Sequence, residues 1–102
     1  MPSFELSPEA DADLDDIFDY TARLWGADQA YKYLLDLDVC AEAMVAGERS
    51  FKSLDSFRRG MRMCRCQHHY IICVMRDDEP ALVVAMLHER MDLMSRIVEQ
   101  LK

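Results

Sequence analysis

The chain has 102 residues, 51% hydrophobic and 30% charged, with three Gly and three Pro, a length and composition that fit one domain with its own core and exclude a disordered or low-complexity polypeptide. Its formal charge of -7 argues against a protein that lies along nucleic acid, because the phosphate backbone would be repelled over most of the surface. No apolar run approaches the roughly 18 residues of a membrane span, and MPSFELSPEADAD lacks the basic start and apolar stretch of a signal peptide, so a cytoplasmic location is expected.

Phe4 to Leu6 is predicted to be a short strand, stopped by Ser7-Pro8. Ser7 suits an N-cap and Pro8 the first helical position, while Asp11, Asp13, Asp15 and Asp16 place negative charge where the helix dipole favours it. Ala10, Leu14, Ile17, Phe18, Thr21 and Trp25 then recur at helical spacing, with the carboxylates on the other face, until Gly26 closes the helix. A second helix, starting near Ala27-Asp28, carries the stripe Ala30, Leu34, Leu37, Ala41 and Met44 as far as Gly47. The single-Gly connection makes the pair an antiparallel hairpin.

After Gly47 the period changes. GERSFKSLDSFRRG reads as a polar connection anchored by Phe51 and Phe57. MRMCRCQ alternates, HYIICVM is dense in β-formers, and ALVVAML is a continuous apolar run suited to the centre of a sheet. Turns at Gln67 to His69 and at Asp77 to Pro80 make these three strands antiparallel neighbours. MDLMSRIVEQLK spaces Leu93, Ile97 and Leu101 at i, i+4 and i+8 and reads as a short amphipathic helix or docking tail. The expected fold is a single α+β domain of order β-α-α-β-β-β-α: an N-terminal strand and an antiparallel helical hairpin packed on a small, mainly antiparallel sheet, with a short C-terminal helix.

Cys40, Cys64, Cys66 and Cys73 contain no C-x-x-C pair, and in a reducing compartment such cysteines are expected to be small core residues rather than a disulfide framework. Cys64, Cys66, His68 and His69 could be read as metal ligands, but one strand and a turn do not supply three or four convergent donors, and core packing is the better account. LHERMD, residues 87 to 92, gathers His, Glu, Arg and Asp. Position 92 is Asp92 where a zinc-protease helix needs a second His, and the segment starts at a strand end, so no metal is expected there either. His88, Arg90 and Asp92 are expected to fix the turn, with Arg90 pairing to a carboxylate, and to leave a polar edge for partner contact.

Charge is unevenly spread: residues 1 to 50 carry three basic and twelve acidic side chains, residues 51 to 102 nine and seven. Arg49, Lys52, Arg58, Arg59, Arg62 and Arg65 form a basic strip that faces only Asp55. Such a strip on an acidic protein suits a specific acidic partner; alternatively it balances the acidic half.

ELSPEADADLDDIFDYTARLWGADQAYKYL, RRGMRMCRCQHHYIICVM and VVAMLHERMD together resemble ParE-type toxins of the RelE/ParE superfamily, with S-P-x-A after a short strand, a D-x-x-x-Y helix, an aromatic-Gly pair, a Gly-hydrophobe-Arg lead into the strands and an H-x-R-M-D ending. The resemblance runs from residue 4 to 94. It departs at Cys73 and Val74, where an aromatic and an Arg are usual, and in the tail from Met94, which runs on further. It implies the toxin of a bacterial toxin-antitoxin pair, held inactive in a hetero-oligomer by a ParD-like antitoxin, that poisons DNA gyrase without catalysing a reaction, needs no cofactor and does not itself bind nucleic acid. Arg58, Arg59, Arg62 and Arg65 are then the expected antitoxin contacts, and His88, Arg90, Leu93 and Ile97 the expected target contacts. RelE-type relatives instead cut mRNA on the ribosome, which needs cationic side chains and a general acid or base near the C-terminus. The last tyrosine here is Tyr70 and only Arg90 and Arg96 follow the final strand, so His88 is the candidate acid for that alternative. A third reading is a non-toxic interaction module of the same fold.

Overall fold

The structure, a computed structural model, describes residues 4–90. β1 (Phe4–Leu6) leads into α1 (Pro8–Trp25) and α2 (Ala27–Val45), followed by β2 (Lys52–Ser53), β3 (Met61–Cys66), β4 (His69–Val74) and β5 (Ala81–His88). The sheet has five strands in the order β1-β5-β4-β3-β2; β1 is parallel to β5 and every other pair is antiparallel. This is the α+β architecture expected. The C-terminal helix expected from residue 91 lies outside the described residues.

Ser7 joins strand to helix. Its N–H donates to the Val83 carbonyl at 2.9 Å, its Oγ accepts the Ala10 N–H at 3.0 Å, and the same hydroxyl donates to the Val84 carbonyl at 3.3 Å. It thus prolongs β1 and caps α1 at once. Gly26, at φ +93, ends α1 and begins α2, a reversal in one residue that a Cβ would strain. Asp13 departs from the expectation that the helix carboxylates all face away from the core. β1 pairs β5 only as far as Val83, and Asp13 Oδ2 accepts the Met86 N–H at 3.0 Å further along. A side chain on α1 satisfies a backbone donor that no strand reaches.

The sheet is apolar on both faces. Towards the helices, Cys64, Ile71, Cys73, Val83 and Met86 pack with Ala10, Ile17, Leu37, Ala41 and Met44. On the other face the alternate positions Met61, Ile72, Val74, Ala85 and Leu87 join Leu54, which is why β4 and β5 read as continuous apolar runs. The stripe on α2 is buried as expected at Ala30, Leu37, Ala41 and Met44. Trp25, read as the end of the α1 stripe, is instead 72% exposed; spacing alone cannot tell where a helix outruns the surface it packs on.

Two further expectations are corrected. The polar connection contains β2, whose Lys52 and Ser53 pair with Met63 and Arg62, and its anchor is Leu54 rather than Phe51 and Phe57. Leu54 is 5% exposed, the two phenylalanines 38% each, because the chain turns around Leu54: its N–H donates to Met61, and its carbonyl accepts from Phe57 and Arg58. Cys40 and Cys66, expected to be thiols, are joined in a disulfide with Cα atoms 6.3 Å apart, while Cys64 and Cys73 are free and buried. The bridge exists because α2 lies across the end of β3, a tertiary juxtaposition that no local spacing signals.

Gly60 sits at φ +82, where an added Cβ would lie 2.8 Å from the Met75 carbonyl oxygen, and its own carbonyl accepts the Met75 N–H at 2.8 Å. Gly60→Ala is therefore expected to lose about 2 kcal/mol of stability, whereas Gly47→Ala should lose about 1 kcal/mol from the left-handed backbone alone. Gly47 has φ +76 and no neighbour within 4 Å of such a Cβ. Urea melts of the two variants check this; equal losses would show that Met75 gives way.

Candidate functional site

The four arginines expected to meet an antitoxin divide into two kinds. Arg62 lies on the helix side of β3, where it donates to the Met44 carbonyl at 3.2 Å and lies 4.2 Å over the Phe51 ring. It serves the last turn of α2, whose open carbonyls and dipole favour a cation. Arg65 is on the other face; it pairs with Glu89, donates to the Gln67 carbonyl at 3.0 Å, and receives Arg49 on its own carbonyl at 2.8 Å. Arg58 and Arg59 are exposed in the turn before Gly60. Two of the four thus hold the fold, and these last two face outward.

All three histidines meet at one end of the sheet, because His69 pairs with His88 across β4 and β5. Tyr33, from α2, brings its hydroxyl 2.6 Å from His69 Nδ1 and accepts the His68 backbone N–H at 3.3 Å. Burial, with His88 and His68 nearby, lowers the His69 pKa to about 4, so at neutral pH its Nδ1 is free to accept the phenolic proton. Burial also raises the Tyr33 pKa, which keeps that proton in place. Glu89 takes His68 Nδ1 and Arg65 Nη2, both at 2.5 Å. The hydrogen bond from His68, with the Arg65 charge behind it, holds the Glu89 carboxyl below its usual range. His88 packs edge-on to His69 with centroids 5.1 Å apart and accepts the Arg90 N–H at 3.1 Å.

His88 therefore does hold the turn, through the backbone N–H of Arg90, but the ion pair expected of the Arg90 side chain is made there by other residues. The carboxylate at that turn is Glu89, and its partners are Arg65 and His68. Leu93, Ile97 and Asp92 lie outside the described residues. Tyr33 was missed because it sits 36 residues from His69 and meets it only once α2 is laid over the β3–β4 turn. Among the described residues no group of three or more His, Cys, Asp or Glu is placed to hold a metal ion.

At the other end of the strand order, β1 is the edge strand among the described residues. There Phe4, Leu6, Leu14, Leu34, Leu35 and Met86 line an apolar groove of about 340 Å³. Its lip continues along α2 as Tyr31, Leu35 and Val39, which are 62%, 65% and 65% exposed. Large apolar side chains aligned at i, i+4 and i+8 beside a groove and an edge strand form a surface suited to being covered. This second stripe on α2, at steps of four, stands in the sequence beside the buried one, which alternates steps of four and three.

The family model for the ParE toxin of the type II toxin-antitoxin system, parDE, matches residues 4–93. The chain belongs to the ParE toxin family. It is 48% identical over 102 residues to Toxin ParE of Escherichia coli, covering 100% of this chain and 99% of that protein. With Toxin ParE1 of Mycobacterium tuberculosis (strain ATCC 25618 / H37Rv) it shares 35% identity over 88 residues, 86% of this chain and 90% of the relative. Among solved structures it resembles a chain of the chromosomal ParDE TA system from P. aeruginosa, with a TM-score of 0.68 at 20% identity over 86% of this chain and 96% of that one; at that identity the likeness is one of fold. The ParE toxin match takes in the groove, the arginine strip and the histidine end alike.

Proposed function

We propose that this ParE toxin is a non-enzymatic poison of DNA gyrase, kept inactive in the cytoplasm by a ParD-like antitoxin whose disordered tail folds into the groove beside β1. The apolar lip Tyr31, Leu35 and Val39 carries the antitoxin half of this reading: an amphipathic tail can bury its stripe there, beside β1, the edge strand among the described residues. Acidic residues of the same tail would meet Arg58 and Arg59, and then Arg62 or Arg65 on the two faces of β3. The groove lies at β1, whereas these arginines lie on and beside β3, three strands across the sheet, about 14 Å apart at the usual strand spacing. One tail touching both must therefore wrap across the molecule.

The target half rests on family membership. His88 and Arg90 at the end of β5, and Leu93 and Ile97 beyond it, are assigned to the gyrase contact. Purified toxin is expected to inhibit gyrase supercoiling and to accumulate the cleaved DNA complex, with relief by the antitoxin. His88→Ala should weaken this effect without abolishing it in a folded protein, since a contact is lost but no chemistry is asked of that ring. A second reading, ribosome-dependent mRNA cleavage, is favoured by the convergence of three histidines, Tyr33 and Glu89, which are groups able to move protons. Wild-type cleavage of mRNA that a folded His88→Ala variant has lost would establish that reading over the first.

A further inference from the structure

α2 and β3 meet along a seam in which the partners run in opposite directions. Tyr33 reaches His68 and His69, Asp36 accepts the Gln67 side-chain amide at 2.8 Å, Cys40 is bonded to Cys66, and the Met44 carbonyl takes Arg62. Steps of three or four residues along α2 keep these groups on one face of the helix. Among the described residues the disulfide is the one covalent link between distant parts of the chain. In a protein assigned to a reducing compartment such a bond does not act as a permanent staple, because disulfides there are mostly transient.

We propose that Cys40 and Cys66 form a reversible redox modification site that reacts with a small-molecule disulfide of the glutathione class, stapling α2 to β3 when closed and releasing it when reduced. Their Cα separation of 6.3 Å lies within the range a disulfide spans without backbone movement. Cys40, 8% exposed on the helix, is the point of attack, and Cys66, 2% exposed, resolves it from within. In the closing direction the Cys40 thiolate attacks one sulfur of the external disulfide and expels an external thiolate. The Cys66 thiolate then attacks Cys40 Sγ and expels the second external thiolate. Two protein thiols are oxidised, one external disulfide is reduced to two thiols, and the two thiol protons end on those products. Cys64 and Cys73 take no part: both remain free thiols while Cys40 and Cys66 are joined, and neither lies opposite the Cys40 side chain on α2.

The bond spans a sequence separation of 26 residues, so closing it restricts the unfolded chain and makes the folded one harder to open. The toxin would then be more resistant to unfolding and to proteolysis in oxidised cells, whatever its target.

The test uses the full chain equilibrated across a series of glutathione ratios, with thiols alkylated under denaturing conditions and counted by mass spectrometry, and with thermal melts on the same samples. Alkylated cysteines should fall from four to two, the remaining labels mapping to Cys64 and Cys73. The melting temperature should rise by about 10 °C between the reduced and oxidised forms. Cys40→Ser should show no redox response and Cys64→Ser should keep it. Four alkylated cysteines at every ratio, or equal melting temperatures for the two forms of the unaltered chain, would overturn the proposal, and that comparison does not depend on any variant folding.

Discussion

A Leu35→Asp, Val39→Asp double variant is expected to bind a ParD-like antitoxin about 100-fold more weakly than the unaltered toxin, while its own stability moves by no more than about 0.5 kcal/mol. Both side chains are 65% exposed, so the free protein has little packing to lose. In the complex each would be covered, and burying an aliphatic side chain contributes roughly 1.5–3 kcal/mol, which an aspartate forfeits and replaces with a charge to be desolvated. Isothermal titration calorimetry decides it. Unchanged affinity in a folded double variant would remove the groove from the antitoxin interface. Charge reversal at Arg58 and Arg59 should weaken binding less, and its effect should shrink as salt is added, because exposed charges are screened while apolar contacts are not.

The second large effect is a loss of stability in mild acid centred on His69. Its pKa is about 4 in the fold against 6.5 for the free side chain, so the folded protein holds the ring neutral while the unfolded chain protonates it. The contribution is fully present above about pH 6.5 and is lost as the pH falls towards 4, by an amount on the order of 3 kcal/mol. The groups facing the ring are Tyr33 from α2, His88 from β5, and His68 and Glu89 from the adjoining turns. Glu89 acts in a lower window: its carboxyl is held below 4.5, and its pairing is lost only as the pH falls through that depressed value. Urea melts at pH 7 and pH 5 should show the loss in the unaltered protein and a much smaller one in His69→Asn, where no ring remains to charge. Equal losses in both would place the acid sensitivity elsewhere.

The fold was legible in the sequence wherever the determinants are local. Ser7-Pro8 marks the start of α1, Gly26 and Gly47 mark the ends of the helices, and the three apolar runs after Gly60 mark the strands. β2 escaped because two exposed residues paired at a sheet edge have no periodicity to detect. The arginine strip was visible, but its division was not: whether Arg62 faces a helix end and Arg65 a carboxylate depends on which side of β3 each falls and on what lies there. Asp13 looked like one more carboxylate suited to the start of a helix, and its bond to Met86 depends on β1 stopping short. Tyr33 with His69, and Cys40 with Cys66, are meetings of α2 with the end of β3 and the start of β4. They follow from the angle at which the hairpin lies on the sheet, which neither composition nor spacing encodes.

The parallel pairing of β1 with β5 gives the molecule a timetable. α1 and α2 form from neighbouring residues and can assemble while the chain is still being made, but β1 waits for β5, and the Ser7 hydroxyl waits for a carbonyl 77 residues later. Until Ala81 to His88 have emerged, Phe4 and Leu6 have no strand to lie against, Met86 is missing from the groove, and His69 has no His88 beside it. A polypeptide broken off before that point has neither the groove nor the histidine end. The surface by which the protein would be restrained and the end by which it would act are thus completed by the same eight residues, so nascent chains acquire both at the same moment.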